Sequence, residues 1–185
     1  RPVHRLDELT SGLVVVAKHS LAQQQLAAQM TEGSVVKEYR AYVYGRPPEP
    51  EGRIDAPIGR QTEDPHRRVV REDGAPSLTF YRVAECYGNQ ASAVDVRLGT
   101  GRTHQIRVHM THIGCPIIGD GYYSEERWAE SELASRVAGI IGRQALHACR
   151  LGFRHPVTGE EMRLEAALPE DMKLLERELG KLTTR

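Results

Sequence analysis

Strict alternation marks the middle of the chain. Along Lys37-Glu38-Tyr39-Arg40-Ala41-Tyr42-Val43-Tyr44, residues Tyr39, Ala41 and Val43 fall on one side and Arg40, Tyr42 and Tyr44 on the other, the period of a strand. Leu78–Val83 and Ser92–Leu98 form a second such pair around a turn at Gly88-Asn89, with Val94, Val96 and Leu98 directed inward. Ala145–Phe153 and Met162–Ala166 predict another antiparallel pair, closed by the turn His155–Glu160. The run Leu13-Val14-Val15-Val16-Ala17 has strand length and β-branched content. Helical spacing appears in three places. Ser20 is placed to cap a helix whose Ala22, Leu26 and Met30 make one stripe and which Gly33 ends. Thr103 is placed to cap a second, with Ile106, Met110 and Ile113 on one face and Gly114 after it. Pro169 opens a third, carrying Met172, Leu175 and Leu179. Gly45–Pro76, dense in Pro and Gly, predicts turns and a short surface hairpin; Tyr123–Gly142 predicts a surface helix or mobile insertion.

Composition narrows the class. A chain of 185 residues is long enough for one domain with a real core, here taken as residues 1–185. Its 25 basic and 25 acidic residues cancel, so no global field advertises an anionic partner. Apart from Lys18, Lys37, Lys173 and Lys181, every basic residue is arginine, whose planar fork suits carboxylates and phosphates; a GC-rich coding bias explains this equally well. Cys86, Cys115 and Cys149 are widely spaced and odd in number, which argues against a disulfide scaffold or a zinc cluster and fits a reducing cytoplasm. No apolar run approaches the roughly 18 residues of a membrane span. The chain opens on Arg1-Pro2 without a signal-peptide pattern, as though it began partway through a longer protein.

Candidate chemistry lies at a few positions. Asp7 stands in a polar turn two residues after Arg5; a carboxylate there serves either to close the turn or to react. Gly99–Gly114 holds Arg102, Arg107, His104, His109 and His112 without any acid, which makes either an anion site at a helix N-terminus or a solvent-facing basic turn. The histidines are poorly spaced for a metal, since His104 lies roughly 140° around a helix from His109. No G-x-S-x-G elbow, P-loop or dinucleotide fingerprint appears. Tyr39, flanked by Lys37 and Arg40, fits a platform for an unpaired base or a half-buried sheet aromatic.

Three motifs in order connect these positions: His4-Arg5-Leu6-Asp7-Glu8-Leu9-Thr10-Ser11-Gly12-Leu13, then Lys37-Glu38-Tyr39, then Thr100-Gly101-Arg102-Thr103-His104-Gln105-Ile106-Arg107-Val108-His109. With Gly114–Asp120, Ala145–Ala148 and His155–Glu160, the series resembles the RluA-type pseudouridine synthases across nearly the whole chain. The resemblance implies an α/β (α+β) fold with a mixed, largely antiparallel twisted sheet flanked by helices. It implies an isomerase that converts uridines in structured RNA, ribosomal RNA favoured over transfer RNA, to pseudouridine. It assigns catalysis to Asp7, Tyr39 and Arg107, with Asp7 attacking the nucleoside, Arg107 pairing with it and Tyr39 stacking on the base. Arg5 would fill the space of the flipped nucleotide, and Lys37, Arg102 and His104 would contact RNA or hold the loop. No cofactor, metal or membrane is implied, and a monomer is expected. The alternative is a catalytically silent RNA-binding module of the same scaffold.

Two departures stand out. Cys115 replaces a histidine common in the family's G-H-P-I turn. The strand and K-P-x-G-type turn that usually precede H-R-L-D, and the RNA-binding domain often found before them, are not in this chain, which leaves a bare sheet edge as the expectation.

Overall fold

A computed structural model describes residues 1–124 and 126–183. The elements in order are β1 (Ser11–Gly12), α1 (Ser20–Glu32), β2 (Val36–Tyr44), β3 (Glu51–Asp55), β4 (Ile58–Arg60), β5 (Arg68–Val70), β6 (Leu78–Tyr87), β7 (Ala91–Leu98), α2 (Gln105–His112), α3 (Glu126–Ala129), α4 (Glu132–Val137), β8 (Leu146–Arg154), β9 (Glu161–Glu165) and α5 (Glu170–Gly180). Seven strands form one mixed sheet in the order β1-β8-β2-β7-β6-β3, with β9 also pairing β8. Only the β1–β8 pairing is parallel among these; the rest of the ladder is antiparallel. β4 and β5 make a separate two-stranded hairpin.

β2 is central because its side chains have apolar partners on both sides: Ala41, Tyr42 and Val43 have no solvent exposure. Tyr39 of β2 faces Ile106 of α2 across a cleft. Tyr42 points away from it, close enough to Glu176 of α5 to feel its charge. α5 drives Met172, Leu175 and Leu179 fully into the core, each burial stabilising the fold by about 1.5–3 kcal/mol.

Several local expectations change. Leu13–Ala17 is not a continuous strand: Leu13 N–H donates to the Ala148 carbonyl, Val15 N–H to His4 Nε2 at 3.1 Å, and Ala17 exchanges hydrogen bonds with Arg1 beside an isolated bridge between Pro2 and Val16. The alternation is real, with Val14 and Val16 exposed and Ala17 buried, but no continuous neighbour runs beside it. The α1 cap is His19, whose Nδ1 accepts the Ala22 N–H at 3.2 Å, so Ser20 is already helical. The N-cap position of α2 is taken not by Thr103 but by His104, in the left-handed region (φ 58°) and without a side-chain capping hydrogen bond. The Gly45–Pro76 region is more ordered than its composition suggests, since β3 extends the main sheet along β6. Tyr123–Gly142 is no loose insertion: Tyr123, Leu133, Val137 and Ile141 are buried, and Trp128 stacks on Tyr44 with ring centroids 5.3 Å apart.

Candidate active site

Asp7 sits in a tight turn closed by its own backbone carbonyl, which accepts the Thr10 N–H at 3.0 Å. Its side chain is thereby released from turn-making and reaches Arg107, with Oδ2 and Nη1 3.8 Å apart. That separation is an ion pair and longer than a hydrogen bond. The closer partner of Arg107 is Asp120, to which it donates from Nε at 2.7 Å and from Nη2 at 2.8 Å. Asp120 Oδ1 also accepts the N–H groups of Tyr122 and Tyr123, so this nearly inaccessible carboxylate is fully engaged. The guanidinium lies 4.8 Å from the centre of the Tyr123 ring as well. Burial opposes its charge, but the hydrogen bonds and charge of Asp120, with a smaller contribution from Asp7, raise the pKa of Arg107. A permanent cation therefore stands behind Asp7.

Asp7 opens onto a cleft of about 240 Å³ lined by Arg5, Lys37, Tyr39, Leu98, Arg102 and Ile106 among others. Tyr39 is buried, and burial, the charge of Asp7 and Cys149 push its phenol up to about 12. Lys37 is half-buried, and desolvation lowers its pKa. Arg5 is exposed at the cleft wall. Arg102 is exposed too, with Nε donating to the Pro76 carbonyl at 3.2 Å.

His104 takes a position behind the wall. The Tyr123 hydroxyl accepts the Arg68 N–H at 3.0 Å and is hydrogen-bonded to His104 Nδ1 at 2.8 Å. Burial lowers the pKa of His104, with Arg107 adding to the effect and Asp7 opposing it. The loop before it is pinned by Gln105, whose Oε1 accepts from the Thr100 hydroxyl and Arg102 N–H while Nε2 donates to Leu78 O and Thr79 Oγ1. His109 is wholly buried between the Ala56 carbonyl at 2.9 Å and the Thr79 hydroxyl at 2.8 Å, a neutral structural histidine. Among the described residues, no three His, Cys, Asp or Glu side chains are grouped to hold a metal.

The sequence reading thus anticipated the convergence of Asp7, Tyr39 and Arg107 but missed Asp120, Tyr123 and Gln105. A cue existed for the first: an arginine-bearing segment free of acids, buried on a helix, requires a carboxylate from elsewhere, and the apolar run Cys115–Ile118 ends on Gly119-Asp120.

Sheet order, cleft and ion pair together define an RNA pseudouridylate synthase fold. The solved human RNA Pseudouridylate Synthase Domain Containing 4 superposes with a TM-score of 0.78 at 27% identity, over 96% of this chain and 75% of that one. The human RNA Pseudouridylate Synthase Domain Containing 1 gives 0.75 at 31% identity, over 91% and 69%. The chain belongs to the RNA pseudouridylate synthase family, whose model matches residues 1–112. An uncharacterized RNA pseudouridine synthase of Chloroflexus aurantiacus is 46% identical over 177 residues, 96% of this chain and 52% of that protein. Ribosomal large subunit pseudouridine synthase D of Zymomonas mobilis is 43% identical over 175 residues, 94% and 54% respectively. The chain spans about half the length of these curated relatives.

Proposed function

We propose that this chain is the catalytic part of an RNA pseudouridine synthase that isomerises uridines in structured RNA. The observation that carries the reading is the Asp7 carboxylate at a cleft, 3.8 Å from a buried arginine that a second carboxylate holds in place. The reaction breaks the C1′–N1 bond, turns the base and joins C5 to C1′; the C5 proton leaves and N1 ends protonated, so no electrons are exchanged. Asp7 is the nucleophile, and both routes of attack, at C1′ or at C6, use the same carboxylate oxygens. When RNA covers the cleft and excludes water, the Arg107 guanidinium remains beside the carboxylate as a fixed positive charge. Tyr39 stacks on the extruded base, and Arg5 fills the vacated place in the RNA. Lys37 and Arg102 meet phosphates, and His104 holds the loop between Asp7 and Tyr123. Large-subunit ribosomal RNA is the favoured substrate, after the name of the Zymomonas relative.

Incubation with large-subunit ribosomal RNA or transfer RNA transcripts tritiated at C5 of uridine tests this directly. Tritium release with pseudouridine in the digested RNA is the expected result. Asp7→Asn is expected to abolish release while changing RNA affinity less than about threefold, because it keeps shape and removes only the nucleophile. RNA bound tightly but never converted by the wild-type chain would instead favour a silent binding module. Full activity in Asp7→Asn would overturn the role of Asp7.

A further inference from the structure

The turn that carries Asp7 is not self-supporting. Leu9 occupies the left-handed region at φ 66°, which is unfavourable for a residue with a Cβ, and its side chain is 60% exposed and so contributes little packing. Something else must hold it there. Two adjacent side chains from the segment before β8 do so. Gln144 Nε2 donates to the Glu8 carbonyl at 2.6 Å and to Thr10 Oγ1 at 3.0 Å. Arg143 Nη1 donates to the Leu9 carbonyl at 3.0 Å. Every residue of the turn after Asp7 is therefore gripped by one of the pair.

Both grips are themselves anchored. Gln144 is buried. Arg143 commits its Nε and Nη2 to Asp171 in the first turn of α5, at 2.8 and 3.0 Å, which aims the remaining nitrogen at Leu9. Just beyond, Ser11 Oγ meets His147 Nδ1 at 2.9 Å, so the contact continues into β1 and β8. Residues 143 and 144 lie outside the segment matched by the family model, and no motif assigns them a role.

We infer that Arg143 and Gln144 are positioning residues that fix the Asp7 turn in its left-handed form and so hold the carboxylate at reacting distance from the base. The inference rests on the proposed role of Asp7. Relaxation of Leu9 to an ordinary conformation would rotate the adjoining peptides and displace Asp7 relative to Tyr39 and Arg107. A displacement of about 1 Å costs on the order of 100-fold in rate.

The test combines an exchange measurement with a rescue. In the wild-type protein, free of RNA, the Thr10 amide should exchange as slowly as amides of β8, although it lies in a surface turn; exchange at the rate of an unstructured loop overturns the clamp. Gln144→Met keeps the length of the side chain and removes both donated bonds. It should lower kcat for pseudouridine formation by about 10–100-fold, leave KM for RNA within about threefold, and speed Thr10 exchange by at least about tenfold. Adding Leu9→Asn, a residue that accepts the left-handed region, should recover at least several-fold of the lost kcat. Unchanged kcat in Gln144→Met, or a loss that Leu9→Asn does not touch, would make Gln144 an ordinary buried residue and end the inference. A wild-type chain that forms no pseudouridine would overturn the reading of Asp7, while Thr10 exchange reports on the clamp without any RNA.

Discussion

Arg107 has two carboxylates to serve, and the division between them sets what Asp7 can do. Asp120 takes the bidentate edge of the guanidinium, and Asp7 receives only a 3.8 Å ion pair. A carboxylate held in a close fork would be a poorer nucleophile, because its lone pairs would already be spent on hydrogen bonds. Here the cation stands beside Asp7 without occupying its oxygens. Tyr39 meets the opposite electrostatic condition. Burial, then the negative charge of Asp7, disfavour its phenolate, and the pKa rises to about 12. The phenol consequently keeps its proton throughout the neutral and mildly alkaline range, and ionisation of Tyr39 cannot produce an alkaline limb there. Tyr39→Phe keeps the stacking ring and loses only the hydroxyl. Its single-turnover rates between pH 6 and pH 10 should be lowered by no more than about tenfold, the size of one lost hydrogen bond, with a profile parallel to wild type. An alkaline limb present in wild type and absent in Tyr39→Phe would show that the phenol titrates in this range and contradict the account.

At the scale of elements, legibility in the sequence follows how locally an element is determined. β7 and α5 were readable because their apolar period matches the face they bury. β6, β8 and β9 were readable through their strand-forming composition and the turns that bound them, although β9 buries no side chain of its own. β3 was not, since of Glu51–Asp55 only Ile54 is buried and the strand exists through its ladder with β6. Tyr123–Gly142 stands between the two cases. Leu133, Val137 and Ile141 at i, i+4 and i+8 make the expected surface helix legible, and α3 and α4 occupy the segment, but spacing alone does not say which neighbour that stripe packs against. Asp120 escaped for a related reason: its partner lies thirteen positions away on another element, and pairing of that kind leaves no periodic trace. Gly12 gives an element-scale prediction. Its φ is +119°, and a Cβ would fall 2.3 Å from the Ala148 carbonyl oxygen and 2.6 Å from the Ala148 nitrogen. Gly12→Ala must therefore push β1 away from β8, and strain plus overpacking should cost about 2–5 kcal/mol. Gly159→Ala is the control: φ is +74° but nothing lies within 4 Å, so only the backbone term of about 1 kcal/mol remains. Urea midpoints for the two variants, at unchanged slope, should separate accordingly. Equal destabilisation would remove the claim that β1 is seated by close backbone approach.

At the scale of the whole chain, neutrality constrains how RNA would be held under the proposed function. With 25 basic and 25 acidic residues the chain has no net field to attract a polyanion, so attraction must come from a local concentration of cations. The cleft supplies one in Arg5, Lys37 and Arg102, beside an apolar wall of Leu98 and Ile106. Elsewhere, among the described residues, Arg53, Arg60, Arg97 and Arg154 stand outside any ion pair, whereas Arg40 and Arg82 pair with Asp95, Arg136 with Glu178, and Arg150 with Glu38 and Glu165. Those pairs would have to break before they could serve a phosphate. If the three cleft cations carry the electrostatic part of binding, each neutralised phosphate of a single-stranded segment contributes about −0.7 to the slope of log affinity against log salt, or about −2 in all. Lys37→Gln should then make the slope shallower by about 0.7 and weaken binding at low salt more than at high salt. Lys37 is the informative choice because it is half-buried on β2, where loss of its charge leaves the surface ion pairs intact. Fluorescence anisotropy of a labelled uridine-containing RNA across a salt series would measure both slopes. A wild-type slope steeper than about −4, unchanged by Lys37→Gln, would place the phosphate contacts outside the cleft, on arginines such as Arg53, Arg60, Arg97 or Arg154.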